Sequence, residues 1–159
     1  CKERRAIMPP VIRVQDIAHV RFAAPDLAAM RAFLEDFGLS CFEQGGRLYA
    51  KGSDGRPFVH VTEPGAARFL AVGFRAADIA DLERLAAHEG VPVETLDAPG
   101  GGHVVRLTDP DGHRVEVVAD QACEPAAPAV ADPPRNSVAA RTRLRTALRL
   151  APGPAQVRR

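Results

Sequence analysis

Shifted by 52 residues, the first half of this 159-residue chain overlays the second without a gap for twenty positions. His19-Val20-Arg21-Phe22-Ala23-Ala24-Pro25-Asp26 falls on Ala71-Val72-Gly73-Phe74-Arg75-Ala76-Ala77-Asp78. The pairs Val20/Val72, Phe22/Phe74, Ala24/Ala76, Asp26/Asp78, Ala28/Ala80 and Gly38/Gly90 are identical. A few identities arise by chance. A helix cap, an apolar stripe and a terminating glycine held in register together are hard to ascribe to it. Such a chain is built from two copies of one supersecondary unit, each needing a neighbour to bury its apolar face.

The unit itself can be read from periodicity. Residues 17–24 alternate like a strand and stop at Pro25. Asp26 caps a helix over 27–37, with Leu27, Met30, Phe33, Leu34 and Phe37 on one stripe, and Gly38 ends it. Strands follow at 41–44, 47–51 and 58–63, separated by the turn signals Gly45-Gly46 and Ser53-Asp54-Gly55. The order then restarts. A strand at 68–76 leads to the cap Asp78 and a helix over 79–89 carrying Ile79, Leu82, Leu85 and Ala86, ended by Gly90. Strands follow near 93–96, 103–108 and 114–119, the last two joined by the turn Asp109-Pro110-Asp111-Gly112. Allowing four extra residues, Phe58-Val59-His60-Val61 falls on Arg114-Val115-Glu116-Val117. Each half reads β-α-β-β-β.

Charge divides the chain differently. Residues 14–132 hold 10 basic and 19 acidic side chains, whereas 133–159 hold seven arginines and no acid. Six of the fourteen prolines lie between Pro125 and Pro154. This predicts three parts: an N-terminal extension over 1–13, a domain over 14–120 with modules of about 14–65 and 66–120, and a Pro/Arg-rich linker or tail over 121–159. The tail is expected to be extended or poorly packed from 126 onward, with any helix confined to 138–148. Its functional alternative is an arginine-rich arm for RNA or acidic membrane. No apolar run approaches the roughly 20 residues of a membrane span, and Cys1, Cys41 and Cys123 lie too far apart for a Cys-based zinc motif. Disulfide-poor composition points to a reducing cytoplasm. With no Trp and one Tyr, a base-stacking platform has little to build on, so neither nucleic acid nor membrane is the expected partner.

The repeat, the segment Ile17-Ala18-His19-Val20-Arg21-Phe22 with Pro25-Asp26-Leu27 after it, and the run Leu107-Thr108-Asp109-Pro110-Asp111-Gly112-His113-Arg114-Val115-Glu116-Val117 together resemble the vicinal oxygen chelate superfamily. That superfamily includes glyoxalases, bleomycin-resistance proteins and extradiol ring-cleavage dioxygenases. The resemblance implies an α+β fold in which paired βαβββ modules form a cup-shaped mixed sheet with two flanking helices. It implies a divalent metal held by residues on the first and last strand of each module, which here are His19, His60, Ala71 and Glu116. It also implies a substrate binding that metal through two neighbouring oxygens, such as a catechol-like aromatic diol. Three of the four positions carry donors. Two imidazoles and a carboxylate suit non-haem Fe(II), with Mn, Ni or Zn as alternatives. Ala71 has no donor where similar extradiol enzymes carry His. His103, after Gly100-Gly101-Gly102, is the candidate acid or base.

Each of these residues also has an ordinary explanation. His19 and His60 fit half-buried strands as hydrogen-bonded histidines, and Glu116 between valines would be satisfied by a salt bridge to Arg21, Arg75 or Arg114. His88 would face its helix C-terminus, and His113 would be exposed after its turn. Pro133-Pro134-Arg135-Asn136-Ser137 resembles the connector of two-domain extradiol dioxygenases, whose first half often lacks metal. The chain is therefore expected to be such an N-terminal half, working with a second module pair or a homodimer partner. The alternative is a metal-free small-molecule-binding or scaffold domain of the bleomycin-resistance type.

Overall fold

The two copies of the repeat meet along their first strands. In the computed structural model, which describes residues 9–128, β1 (Asp16–Ala24) pairs antiparallel with β5 (Arg68–Arg75) at the centre of one eight-stranded mixed sheet. Val20 lies directly opposite its repeat counterpart Val72, so the pseudo-twofold axis passes between them. The first module continues through α1 (Leu27–Asp36), β2 (Ser40–Gln44), β3 (Arg47–Lys51) and β4 (His60–Pro64). The second continues through α2 (Ile79–Glu89), β6 (Glu94–Thr95), β7 (His103–Thr108) and β8 (Arg114–Ala119). Strand order is β2-β3-β4-β1-β5-β8-β7-β6, with β4 parallel to β1 and β8 parallel to β5. The sheet is open, and the architecture is the expected pair of βαβββ modules.

Local chemistry sets the helix ends. Asp26 Oδ1 accepts from Ala29 N and Asp78 Oδ1 accepts from Asp81 N, both at 2.9 Å, satisfying amides with no partner inside the helix. Gly90 closes α2 in the left-handed conformation, φ 69°, where a Cβ would be strained. An Asp26→Ala variant should lose about 1 kcal/mol, read as a shifted urea midpoint with unchanged slope.

The two helices cover one face of the sheet. Leu34 and Leu39 pack on Leu48 and Ala50, while Leu82, Leu85 and Ala86 pack on Val105 and Val117. The opposite, inner face carries Tyr49, Phe58, Val61, Val104 and Val118, onto which Leu96 and Ala98 fold from the β6–β7 connection. Phe33 and Phe37, placed by sequence on the buried stripe of α1, are instead exposed and stacked on each other at 6.2 Å. They lie one ridge away from the Leu27, Met30 and Leu34 contact line.

Residues 121–128 carry no helix or strand, but they are tied down. Ala122 N donates to Gly100 O, Glu124 N to Gly55 O and Ala127 N to Ser53 O, and Lys51 Nζ reaches Glu124 Oε2 at 2.6 Å. The N-terminal eight residues, the seven-arginine tail and the helix expected within 138–148 lie outside the described residues. Among the described residues, no helix is long and apolar enough to cross a membrane.

Candidate functional site

The repeat is broken where chemistry begins. His19 and Arg21 on β1 face small residues on β5: His19 pairs with Gly73 and Arg21 with Ala71. The dyad exchanges these two pairs, so one module supplies both large side chains and the other supplies the space. A Cβ built at Gly73 would stand 2.4 Å from His19 Cε1, so the imidazole lies flat on bare backbone. Glu116 neighbours Gly73 from the other side, on β8. Its carboxylate reaches His19 over the same glycine.

A buried charge network results. Glu116 Oε2 lies 2.9 Å from His19 Nε2 and accepts from Arg21 Nη2 at 3.3 Å. Arg21 Nη1 donates to Glu63 Oε1 at 2.7 Å, and Arg47 Nε stands 3.7 Å from that oxygen. Glu116 Oε1 faces Arg106 Nε at 3.5 Å, and Arg106 also pairs with Glu94. Arg47 Nη1 donates to Asp97 O at 3.2 Å. His19 and Glu116 are each only 1% exposed. Burial pushes the Glu116 carboxyl up, but the bond to His19 and the charge of Arg21 outweigh it and hold the carboxyl at about 2. The carboxylate is then an acceptor only, so His19 Nε2 carries the proton. His19 Nδ1 is buried and has no partner among the described residues.

His60 is not part of this assembly. Across the sheet Arg21 pairs with Val61, as Gly73 pairs with Glu116, so the counterpart of Glu116 is Val61 and the repeat needs three extra residues rather than four. A register slip of one residue turns a side chain to the other face. His60 therefore lies on the helix-covered side, stacked on Phe22 at 5.4 Å, with Thr62 Oγ1 3.4 Å from its Nδ1. Burial lowers its pKa. Nor does His103 join the pair: it sits opposite Ala119, on the face away from Glu116, with Nδ1 3.9 Å from Asp120 Oδ2. His113 is exposed, 3.5 Å from Asp109. His88, in the last turn of α2, bonds Glu89.

These residues do not fit a two-histidine, one-carboxylate metal site. His19 and Glu116 supply two donors, position 71 supplies none, and a guanidinium already occupies the oxygen they would share with a cation. Among the described residues, no group of three His, Cys, Asp or Glu side chains is placed to hold a metal ion.

Arg47, Glu63 and Arg106 were missed in the sequence. Arg106 had a signal: counting back from the Asp109–Gly112 turn puts it directly opposite Glu116. Glu63 shares its face with Val61, two residues earlier, but nothing local announces that Arg21 will meet it.

Comparison with known proteins agrees with this architecture. A family model described as the Glyoxalase/Bleomycin resistance protein/Dioxygenase superfamily matches residues 16–117. No curated protein sequence matches significantly. Among solved structures, the Mn(II)-bound glyoxalase of Novosphingobium aromaticivorans is similar at 27% identity and TM-score 0.66, over 76% of this chain and 43% of that one. The 2,3-dioxygenase LapB of Pseudomonas sp. KL28 is similar at 25% identity and TM-score 0.61, over 72% of this chain and 43% of that one. Homoprotocatechuate 2,3-dioxygenase of Brevibacterium fuscum, in an anaerobic complex with 3,4-dihydroxyphenylacetate, shares the fold at 23% identity and TM-score 0.63, over 72% and 39%. This chain thus spans less than half the length of these relatives.

Proposed function

This chain belongs to the glyoxalase/bleomycin resistance protein/dioxygenase superfamily, and from that premise we propose that it is a metal-free module pair of the ring-cleaving dioxygenase type. It serves as the binding and scaffold half of an assembly whose metal and aromatic diol are handled by a second module pair. The observation that carries this reading is Arg21. Its guanidinium shares Glu116 Oε2 with His19, so the cation that balances this buried carboxylate is part of the polypeptide. A second cation at the same oxygen would be repelled at short range in a poorly screened site. The partial coverage of the dioxygenase relatives supports a further module pair as partner. Among the described residues Cys41 and Cys123 form no disulfide.

Metal content decides the matter. The full chain, reconstituted anaerobically with Fe(II) and separately with Mn(II), should retain well under about a tenth of an equivalent after desalting, as should His19→Ala. It should also leave catechol and 3,4-dihydroxyphenylacetate uncleaved with metal and oxygen present. About one equivalent of metal in wild type that disappears in His19→Ala would overturn the proposal.

A further inference from the structure

We infer that the cavity at the carboxyl ends of β5 and β8 binds a small carboxylic acid. The cavity measures about 270 Å³ and lies between the start of β1, the 56–58 segment and the chain leaving β8. This inference is independent of the metal-free reading, because none of its residues belongs to the Glu116 network.

Two observations point to an acceptor-bearing ligand. Arg75 Nε and Gln121 Nε2 are both buried, and neither has a hydrogen-bond partner among the described residues. Both residues line this one cavity. Buried donors without acceptors are uncommon in folded proteins and call for a specific explanation. The neighbouring guanidinium behaves differently: Arg56 is committed to Asp16 Oδ2 at 2.7 Å, Asp54 Oδ2 at 3.1 Å and Ile17 O at 2.9 Å. Arg75, which lines the cavity, makes no such ion pair among the described residues, so no bonded carboxylate compensates its charge.

Backbone strain lies beside these donors. Asp120, which brings Gln121 to the wall, has φ 58° and is the only non-glycine residue with positive φ among the described residues. Asp120 also lines the cavity, and its Oδ2 has His103 Nδ1 3.9 Å away.

The remaining walls say what the ligand's body is like. Phe58, Pro57, Ala18 and Ala119 line the cavity, and Phe58 and Ala18 belong to the inner-face core. Apolar walls with a few placed donors suit an organic acid better than water, which needs several polar partners. The volume admits a carboxylate with a single ring or short chain. A guanidinium and an amide offer the planar, multi-donor recognition that a carboxylate favours.

Benzoate is the probe, with inorganic phosphate as the comparison, titrated into the full chain by calorimetry and by NMR. Saturable benzoate binding is expected, weakened about ten-fold or more by Arg75→Gln and by Gln121→Leu. Arg114→Gln, at the opposite end of β8, should leave it within about two-fold. Thermal unfolding checks that the variants fold. Gln121 lies outside every helix and strand, so Gln121→Leu decides alone should Arg75→Gln unfold. Absence of saturable benzoate binding, or binding that a folded Gln121→Leu variant leaves unchanged, overturns the proposal. Phosphate binding as tight as benzoate, with the same losses, overturns the carboxylic-acid assignment and marks a bare oxyanion site.

Discussion

Gly73→Ala should destabilise the chain by about 2–3 kcal/mol, an unusually large effect for adding one methyl group. Gly73 is not at positive φ, so alanine meets no backbone penalty there, and lower chain entropy in the unfolded state would by itself favour it. The cost is steric. The new Cβ would stand 2.4 Å from His19 Cε1, 2.5 Å from Nδ1 and 2.8 Å from Nε2. The ring cannot simply lift, because Phe58 packs against it at 5.0 Å between centroids and Nε2 is bonded to Glu116. Urea unfolding measures the loss, and a double-mutant cycle assigns it. On a His19→Ala background the same methyl should cost less than about 1 kcal/mol. Equal costs on both backgrounds would mean that the ring does not lie over Gly73.

That glycine also shows how far the sequence could be read. Elements with local punctuation were legible. Asp26 and Asp78 cap helices where their side chains can reach the third amide onward, Gly90 ends α2, and Asp109 Oδ1 organises the last hairpin through Asp111 N and His113 N. The strands Arg47–Lys51, His103–Thr108 and Arg114–Ala119 follow from alternation between such signals. Facing was harder, because it depends on counting by twos without error. The β1–β5 ladder shifts register between Ile17 and His19, so Ala18 and His19 are both buried while Ile17 is 55% exposed. Across β1 and β4, a one-residue error in the repeat put His60 on the wrong side of the sheet relative to Glu116. The candidate site suffered more than the fold for this reason. His19, Arg21 and Glu116 were each singled out, and the possible Arg21–Glu116 salt bridge was foreseen. Arg47 and Glu63, from β3 and β4, enter only through long-range pairing that no local pattern encodes.

Glu116 should prove the costliest side chain to remove from that site. Glu116→Leu should destabilise by about 3–5 kcal/mol, because it leaves the buried Arg21 guanidinium with Glu63 as its one carboxylate partner among the described residues and leaves His19 Nε2 without an acceptor. The size reflects broken partners, since a buried ion pair by itself adds little over well-packed apolar residues. Glu116→Gln isolates the charge. The folded-state pKa of about 2 lies below the ordinary 4.5, so the ionised group stabilises the fold fully above the ordinary value. That contribution fades as pH falls from about 4.5 toward 2, as the unfolded chain takes up a proton that the folded carboxylate refuses. The shift corresponds to about 3 kcal/mol. Wild type and Glu116→Gln should therefore differ most in unfolding free energy near about pH 7, and the gap should narrow as pH falls from about 4.5 toward 2. A pH-independent gap would mean that the amide fails through shape or hydrogen-bond polarity. Convergence would instead identify ionised Glu116 as the anion that Arg21 balances, the arrangement on which the metal-free reading depends.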